Sequence, residues 1–215
     1  EVVDPTGAGD AFAAGFLGSL FWRFERGLAD LGGLSLAVGI ALAEAWRAQG
    51  LDVRVKWPND LWIDGRKLAG LLVEAGGEFH GPSHAVVGLG LNIALPPAIR
   101  DALGQPVTDL ATHLPDAMPR NVAVAICIDA LFAALQEFDR EGFSPFVARW
   151  GAVDALVDHG VTVHEANGCW TGIARGIDDM GFVAGQIGMF SYSGLTKAQM
   201  VALRTDHGVY GLDSG

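Results

Sequence analysis

Nothing in the chain leaves the backbone fewer options than Asp64-Gly65, set between the apolar-rich runs Leu61-Trp62-Ile63 and Arg66 to Ala75. A two-residue hairpin loop needs left-handed backbone at both positions, which Asp and Gly tolerate, so LWI and RKLAGLLVEA read as paired antiparallel strands. Upstream, LDVRVKW alternates apolar and polar residues until Pro58-Asn59-Asp60 breaks it, and downstream His84 to Ile93 supplies a further strand. Glycines 88 and 90 in that last strand permit close approach of backbone or ligand. A central, mostly antiparallel sheet follows.

Helices are set around it. Leu34, Val38, Leu42 and Ala45 recur at helical spacing, and Gly50 stands where the helix should stop. Prolines cut residues 96–120 into short pieces, after which Asn121 is placed to cap a long apolar helix, VAVAICIDALFAALQEF. The segment TGAGDAFAAGFLGSLFW reads two ways, as a helix from Asp10 or as a strand over LGSLFWRF. From about Ala155 short strands replace helices: VTVHE, CWTGIARGI and FVAG, with turns at Asn167-Gly168 and Asp178 to Gly181, a pattern that suits a small barrel. A domain boundary is expected near Gly151 to Ala155. Near the C-terminus, Leu195, Thr196 and Gln199 form a helix-capping pattern that Gly208 can close.

The formal net charge of -11 sets the field of the chain against phosphate-rich surfaces, so neither a nucleic-acid nor a membrane partner is expected. Cys127 and Cys169 lack CxxC spacing, and Cys127 lies in an apolar run that fits a small buried hydrophobe. The opening run lacks the basic start of a signal peptide, and charges or glycines are expected to interrupt each apolar stretch before it reaches spanning length. Together these predict a reducing, cytoplasmic setting. His80 and His84 have helical spacing but lie in a Gly/Pro-rich loop, so no metal cage is predicted.

The run KWPNDLWIDGRKLAGLLVE, Lys56 to Glu74, is very similar to the signature stretch of biotin–protein ligases. The similarity extends to FWRFERGLADLGGLSLAVGIALAEAW, VVGLGLNIALP, FSPFVARW and GIARGIDDMGFV, and so covers roughly Gly18 to Gly185. This resemblance implies an α+β fold: a mixed, mostly antiparallel sheet packed against helices, a class II synthetase-like ligase core over 18–154, then an SH3-like β-barrel over 155–186. It implies ATP and Mg²⁺, biotin as substrate and a biotin carboxyl carrier domain as acceptor, and the choice between monomer and homodimer stays open. Two further resemblances flank it. Residues 1–17, EVVDPTGAGDAFAAGFL, look like the anion-hole signature of ribokinase-type sugar kinases, and 187–215 look like the C-terminal stretch of aspartate and aromatic aminotransferases. The chain reads as a composite.

The reaction of such a ligase brings a carboxylate against a phosphate, and two anions meet only where cations neutralise the approach. By resemblance, Lys67 contacts the biotin carboxylate and phosphate; without the motif it would read as a solvated strand lysine. Asn59 and Asp60 follow Pro58 in a turn that can aim them at phosphate-bound Mg²⁺ or an incoming amine, with Asp60 orienting or deprotonating the acceptor lysine. Lys56 can reach either phosphate or a partner carboxylate. Asn92 has the donor and acceptor needed to read an adenine edge, Trp22 either stacks on the same base or sits in the core, and Gly70 leaves room for biotin. In the kinase-like run, Gly7, Ala8 and Gly9 would cradle phosphate and Asp10 would serve as base. The strand that reads the ureido ring and the Gly/Arg-rich loop that the family carries upstream are not found in this sequence, so impaired turnover is expected. The alternatives are a non-catalytic composite that binds nucleotide weakly and, more remotely, a sugar kinase.

Overall fold

The computed structural model describes residues 15–177, except 115, 117, 166 and 167. Its centre is a five-stranded sheet of β1 (Gly15–Phe24), β2 (Arg54–Lys56), β3 (Asp60–Ile63), β4 (Arg66–Gly77) and β5 (Ser83–Asn92), in the order β1-β5-β4-β3-β2. Every neighbouring pair is antiparallel. The β3–β4 turn adopts the expected left-handed backbone, with φ of 48° at Asp64 and 73° at Gly65. The two-way reading of the first segment resolves as strand from Gly15, earlier than the Gly18 start expected from the resemblance. Its residues pair from Gly15 opposite Asn92 to Phe24 opposite Ser83, so the ladder on β5 overrides local helix preference.

Strand alternation sorts the side chains onto two faces. Phe24, Val55, Leu61, Ile63, Ala69, Leu71, Val73, Ala85, Val87, Leu89 and Leu91 are buried on one of them, beneath two helices. The first, α1 (Leu34–Ala48), is buried over most of its length, including Trp46. Residues 97–102 and 110–113 form the short helices α2 (Pro97–Ala102) and α3 (Leu110–His113). The second long helix, α4 (Arg120–Glu141), packs on α1 and β1 and turns Ala123, Cys127, Leu131, Ala134, Leu135 and Phe138 inward. Its N-cap is Pro119, with extended backbone at φ -59° and ψ 137°, rather than Asn121, which lies inside the first turn. The ring fixes φ at Pro119, and the carbonyl there accepts the Val122 and Ala123 amides without a side-chain cap. Contrary to expectation, α4 is long and apolar enough, by length and composition alone, to cross a membrane. Here its inward stripe belongs to the core. Burial pushes the Cys127 thiol up to about 12, which leaves it a packing group.

FSPFVARW folds as α5 (Ser144–Val153), and its Arg149 ties three helices together. Nε donates to Glu44 on α1 at 2.9 Å and Nη1 to Glu137 on α4 at 2.8 Å. Beyond α5, buried Asp154 accepts from Trp150 Nε1 and the Leu156 amide, while the Ala155 amide donates to the Val55 carbonyl at 2.9 Å. The β2 edge is thus covered up to the residue at which the second unit was expected to begin. There follows a two-stranded antiparallel ribbon, β6 (Gly160–Glu165) and β7 (Gly168–Ile173). The expected FVAG strand, the turns at Asn167 and Asp178 to Gly181, and the two flanking motifs lie at least in part outside the described residues.

Candidate active site

The other face of the sheet carries most of the residues singled out by sequence. Across the strands, Asp60 stands opposite Gly70, and Gly70 opposite Gly90. The β3–β4 register slips between Leu61 and Trp62, so that Leu61 pairs with Ala69 but Trp62 with Lys67. Leu68 is the extra residue, and both Leu68 and Ala69 are buried. A bulge of this kind re-aims a side chain, and here it lets Lys67 share the open face with Gly70. Lys67 Nζ lies 2.8 Å from Asp60 Oδ1, with the two side chains 30% and 18% exposed. A Cβ at position 70 would stand 3.2 Å from both Cε and Nζ of Lys67 and 3.6 Å from Asp60 Oδ1. The ion pair therefore rests on the space left by a missing side chain.

Asn92 reaches the same place by its backbone contacts. Its Nδ2 donates to the Lys67 carbonyl at 3.3 Å and to the Thr108 carbonyl at 3.0 Å. The segment 106–108 runs parallel beside Lys67: the Lys67 amide donates to Pro106 O at 3.0 Å, and the Thr108 amide to Lys67 O at 2.9 Å. Asn59 clasps β4, donating through Nδ2 to the Leu71 carbonyl at 2.7 Å and accepting the Leu71 amide at 2.8 Å. Its amide nitrogen is thus used as a turn residue's would be.

Two assignments change. Trp22 stands opposite Ala85 in β1, with the parity of buried Phe24, and meets Phe132 of α4 edge-on at 5.1 Å. Of the two readings, core packing is the one realised; a base on the Asn92 face is on the far side of the sheet, because alternation permits a strand residue only one face. Among the described residues, Lys56 faces an aromatic ring rather than a partner carboxylate. Its ammonium lies 5.0 Å from the Trp62 ring centroid, a cation–π contact across β2 and β3. Residues 7–10 of the kinase-like run lie outside the described residues. Among the described residues, no group of three or more His, Cys, Asp or Glu is placed to hold a metal ion.

Sequence reading passed over Asp109. Its carboxylate is 2% exposed and accepts from the Leu95 amide, Arg100 Nη2, the Thr112 amide and the Thr112 hydroxyl, all between 2.7 and 2.8 Å. The spacing of Asp109 and Thr112, a capping residue three positions before a hydroxyl, was the available signal. Burial by itself would raise this carboxyl. The Thr112 hydroxyl, the Leu95 and Thr112 amides and Arg100 outweigh it and hold the carboxyl below its ordinary range.

Comparison with known proteins shows the family and the fold. The biotin/lipoate A/B protein ligase family matches residues 16–92, the span from β1 to the end of β5. A biotin–[acetyl-CoA-carboxylase] ligase of Paracoccus denitrificans is 30% identical over 175 residues, 79% of this chain and 72% of that protein. The chain belongs to the biotin/lipoate A/B protein ligase family. Within it, the bifunctional ligase/repressor BirA of Salmonella typhimurium is 41% identical over 171 residues, and the chain spans 53% of that relative's length. In fold, this family member is similar to the Aquifex aeolicus biotin protein ligase solved with biotin and ATP. The TM-score is 0.63 at 21% identity, covering 77% of this chain and 68% of that one. An aromatic-amino-acid aminotransferase of Pseudomonas aeruginosa is also similar, 34% identical over 103 residues that make up 47% of this chain and 22% of that enzyme.

Proposed function

We propose that this chain carries the acid-activating centre of a biotin–protein ligase, and the observation that carries the reading is the Lys67–Asp60 pair seated over Gly70. In the first half-reaction a biotin carboxylate oxygen attacks the α-phosphorus of ATP and pyrophosphate leaves. Lys67, partly buried and aimed from the bulge, supplies positive charge where two anions must meet. In the second, a lysine amine of a biotin carboxyl carrier domain attacks the acyl carbon and AMP leaves. Asp60, beside Lys67, is the group that orients or accepts a proton from that amine.

Gly70 and its cross-strand neighbour Gly90 leave a shallow floor for the biotinyl group, and the carbonyl of Asn92's amide remains to meet the adenine once its nitrogen is tied to backbone. Mg²⁺ fits such a donor set, since it commonly takes one or two carboxylates with phosphate oxygens and water. Asp60 would supply the carboxylate, with Asn59 beside it, and the ion would neutralise the phosphates. Lys56, stacked on Trp62, has a secondary part at most.

The composite reading of the chain ends, the SH3-like unit, the cytoplasmic setting and a homodimer belong to the same proposal. On it, residues 1–17 and 187–215 are passengers, and neither sugar-kinase chemistry at Gly7, Ala8, Gly9 and Asp10 nor aminotransferase chemistry operates. One observation favours a second reading, weak nucleotide binding without turnover: Phe21 and Leu72 are 58% and 40% exposed, and their strand parity puts both on the site face. A mixed anhydride formed beside open water hydrolyses.

Biotin-dependent exchange of labelled pyrophosphate into ATP by the full chain separates the two, because it reports adenylation without an acceptor. Exchange supports the ligase reading. ATP binding without exchange supports the second, and its dependence on Asp10 would return the kinase-like run to consideration.

A further inference from the structure

Asp109 is joined to the backbone of Lys67 through the 106–108 segment that precedes it. After β5 the chain leaves the sheet at Asn92, makes an excursion through α2 and returns along Pro106-Val107-Thr108 beside Lys67. The return is closed by Asp109. One carboxylate oxygen holds the Leu95 amide and Arg100, on the outward leg; the other holds the Thr112 amide and hydroxyl, on the inward leg. Leu95 and Val107 pack together beneath, with Ile99 and Leu103 against them. Two residues of the same return, Pro106 and Thr108, exchange backbone hydrogen bonds with Lys67, and Thr108 also takes the Asn92 amide.

We infer that Asp109 is a positioning residue for Lys67: its buried carboxylate latches the 93–112 excursion shut, and the latched 106–108 segment fixes the backbone from which the Lys67 ammonium is aimed at Asp60. A helix cap alone would need only the Thr112 bonds. Here the same group also spans to Leu95 and Arg100, so it sets the distance between the two legs, and that distance decides whether 106–108 reaches Lys67. The inference rests on the ligase reading for its catalytic consequence, but the mechanical coupling can be measured without it.

The test uses the full chain with Asp109→Asn and Asp109→Ser, followed by amide hydrogen exchange and by biotin-dependent pyrophosphate exchange. Asn turns an NH₂ toward donors on one leg. Ser keeps a good cap for Thr112 but cannot span to Leu95 and Arg100. Both variants are expected to lose protection at the Lys67 and Thr108 amides by about tenfold or more, while the Leu71 amide, held by Asn59, stays protected. Pyrophosphate exchange should fall in kcat on the order of 10²-fold, as for a misplaced catalytic group, with little change in KM for ATP. Arg100→Gln, which removes one of the four bonds to the carboxylate, should give the same pattern at smaller amplitude if Asp109→Asn does not fold.

Unchanged protection at Lys67 and Thr108, or full rescue of protection by Ser, overturns the inference and leaves Asp109 a helix cap. So does lost protection with unchanged kcat. A wild-type chain that shows no biotin-dependent exchange overturns the ligase reading instead, and the hydrogen-exchange comparison still decides the latch.

Discussion

The Asn92 side chain donates to the Lys67 carbonyl at 3.3 Å, so the residue expected to read a base is tied to the backbone of the residue expected to carry the charge. With its second donor on Thr108 at 3.0 Å, the amide nitrogen faces two carbonyls. Asn92→Asp would set a carboxylate oxygen against both. Losing the two bonds and leaving their acceptors unpaired in a partly buried site should cost about 1–3 kcal/mol, read as a lower urea midpoint at unchanged slope. A variant as stable as wild type would show that these bonds hold nothing.

Lys67→Ala should leave folding nearly intact, since the side chain is 30% exposed and its backbone bonds are kept. Pyrophosphate exchange should fall by on the order of 10²–10³, the usual cost of one positioned group that meets developing charge. Unchanged exchange would return Lys67 to a solvated strand lysine.

At position 70 the expected signs of stability and activity are opposite. Gly70→Ala puts a methyl 3.2 Å from the end of the Lys67 side chain, which can swing away cheaply, and alanine suits a strand better than glycine. Thermal stability should hold or rise slightly, while exchange falls about tenfold or more because the ammonium is displaced. Parallel melting curves and exchange assays read both.

Trp22→Phe tests the face assignment. The indole packs on Phe132 and its buried N–H has no partner among the described residues, so phenylalanine removes an unsatisfied donor along with some volume, for a net loss of about 1.5 kcal/mol or less. Equilibrium ATP binding should be the same in both proteins. Weakened binding without unfolding would put the base against Trp22 after all.

Acid should open the latch. Because the Asp109 carboxyl is held below its ordinary range when folded, its contribution to stability is fully present above the unfolded carboxylate value of about 3.9 and is lost as pH falls through the lower folded value. Denaturation of wild type and Asp109→Asn across pH 7 to 3 should show two proteins whose stabilities converge at the acid end. A constant difference across that range would deny the carboxylate this role.

The sequence by itself determined the hairpin, the β5 strand and the α1 helix, because each rests on a local rule: a left-handed dipeptide between alternating runs, alternation itself, or a 3.6-residue repeat closed by glycine. It also singled out Lys67, Asp60 and Gly70, which one unbroken run of residues carries and which the fold brings together. Tertiary structure decided what local rules leave open. The strand from Gly15 exists because β5 offers it a ladder, and Trp22 is a core residue because that ladder's register fixes which face each residue takes. The cap of α4 moved to Pro119 because an extended proline already satisfied the geometry that Asn121 was expected to supply. At Asp109 local rules reach only the cap, since Thr112 lies three residues on, whereas Leu95 and Arg100 become neighbours of its carboxylate only when the excursion closes. No periodicity records that closure, because the bonds that make it run between residues with no common spacing.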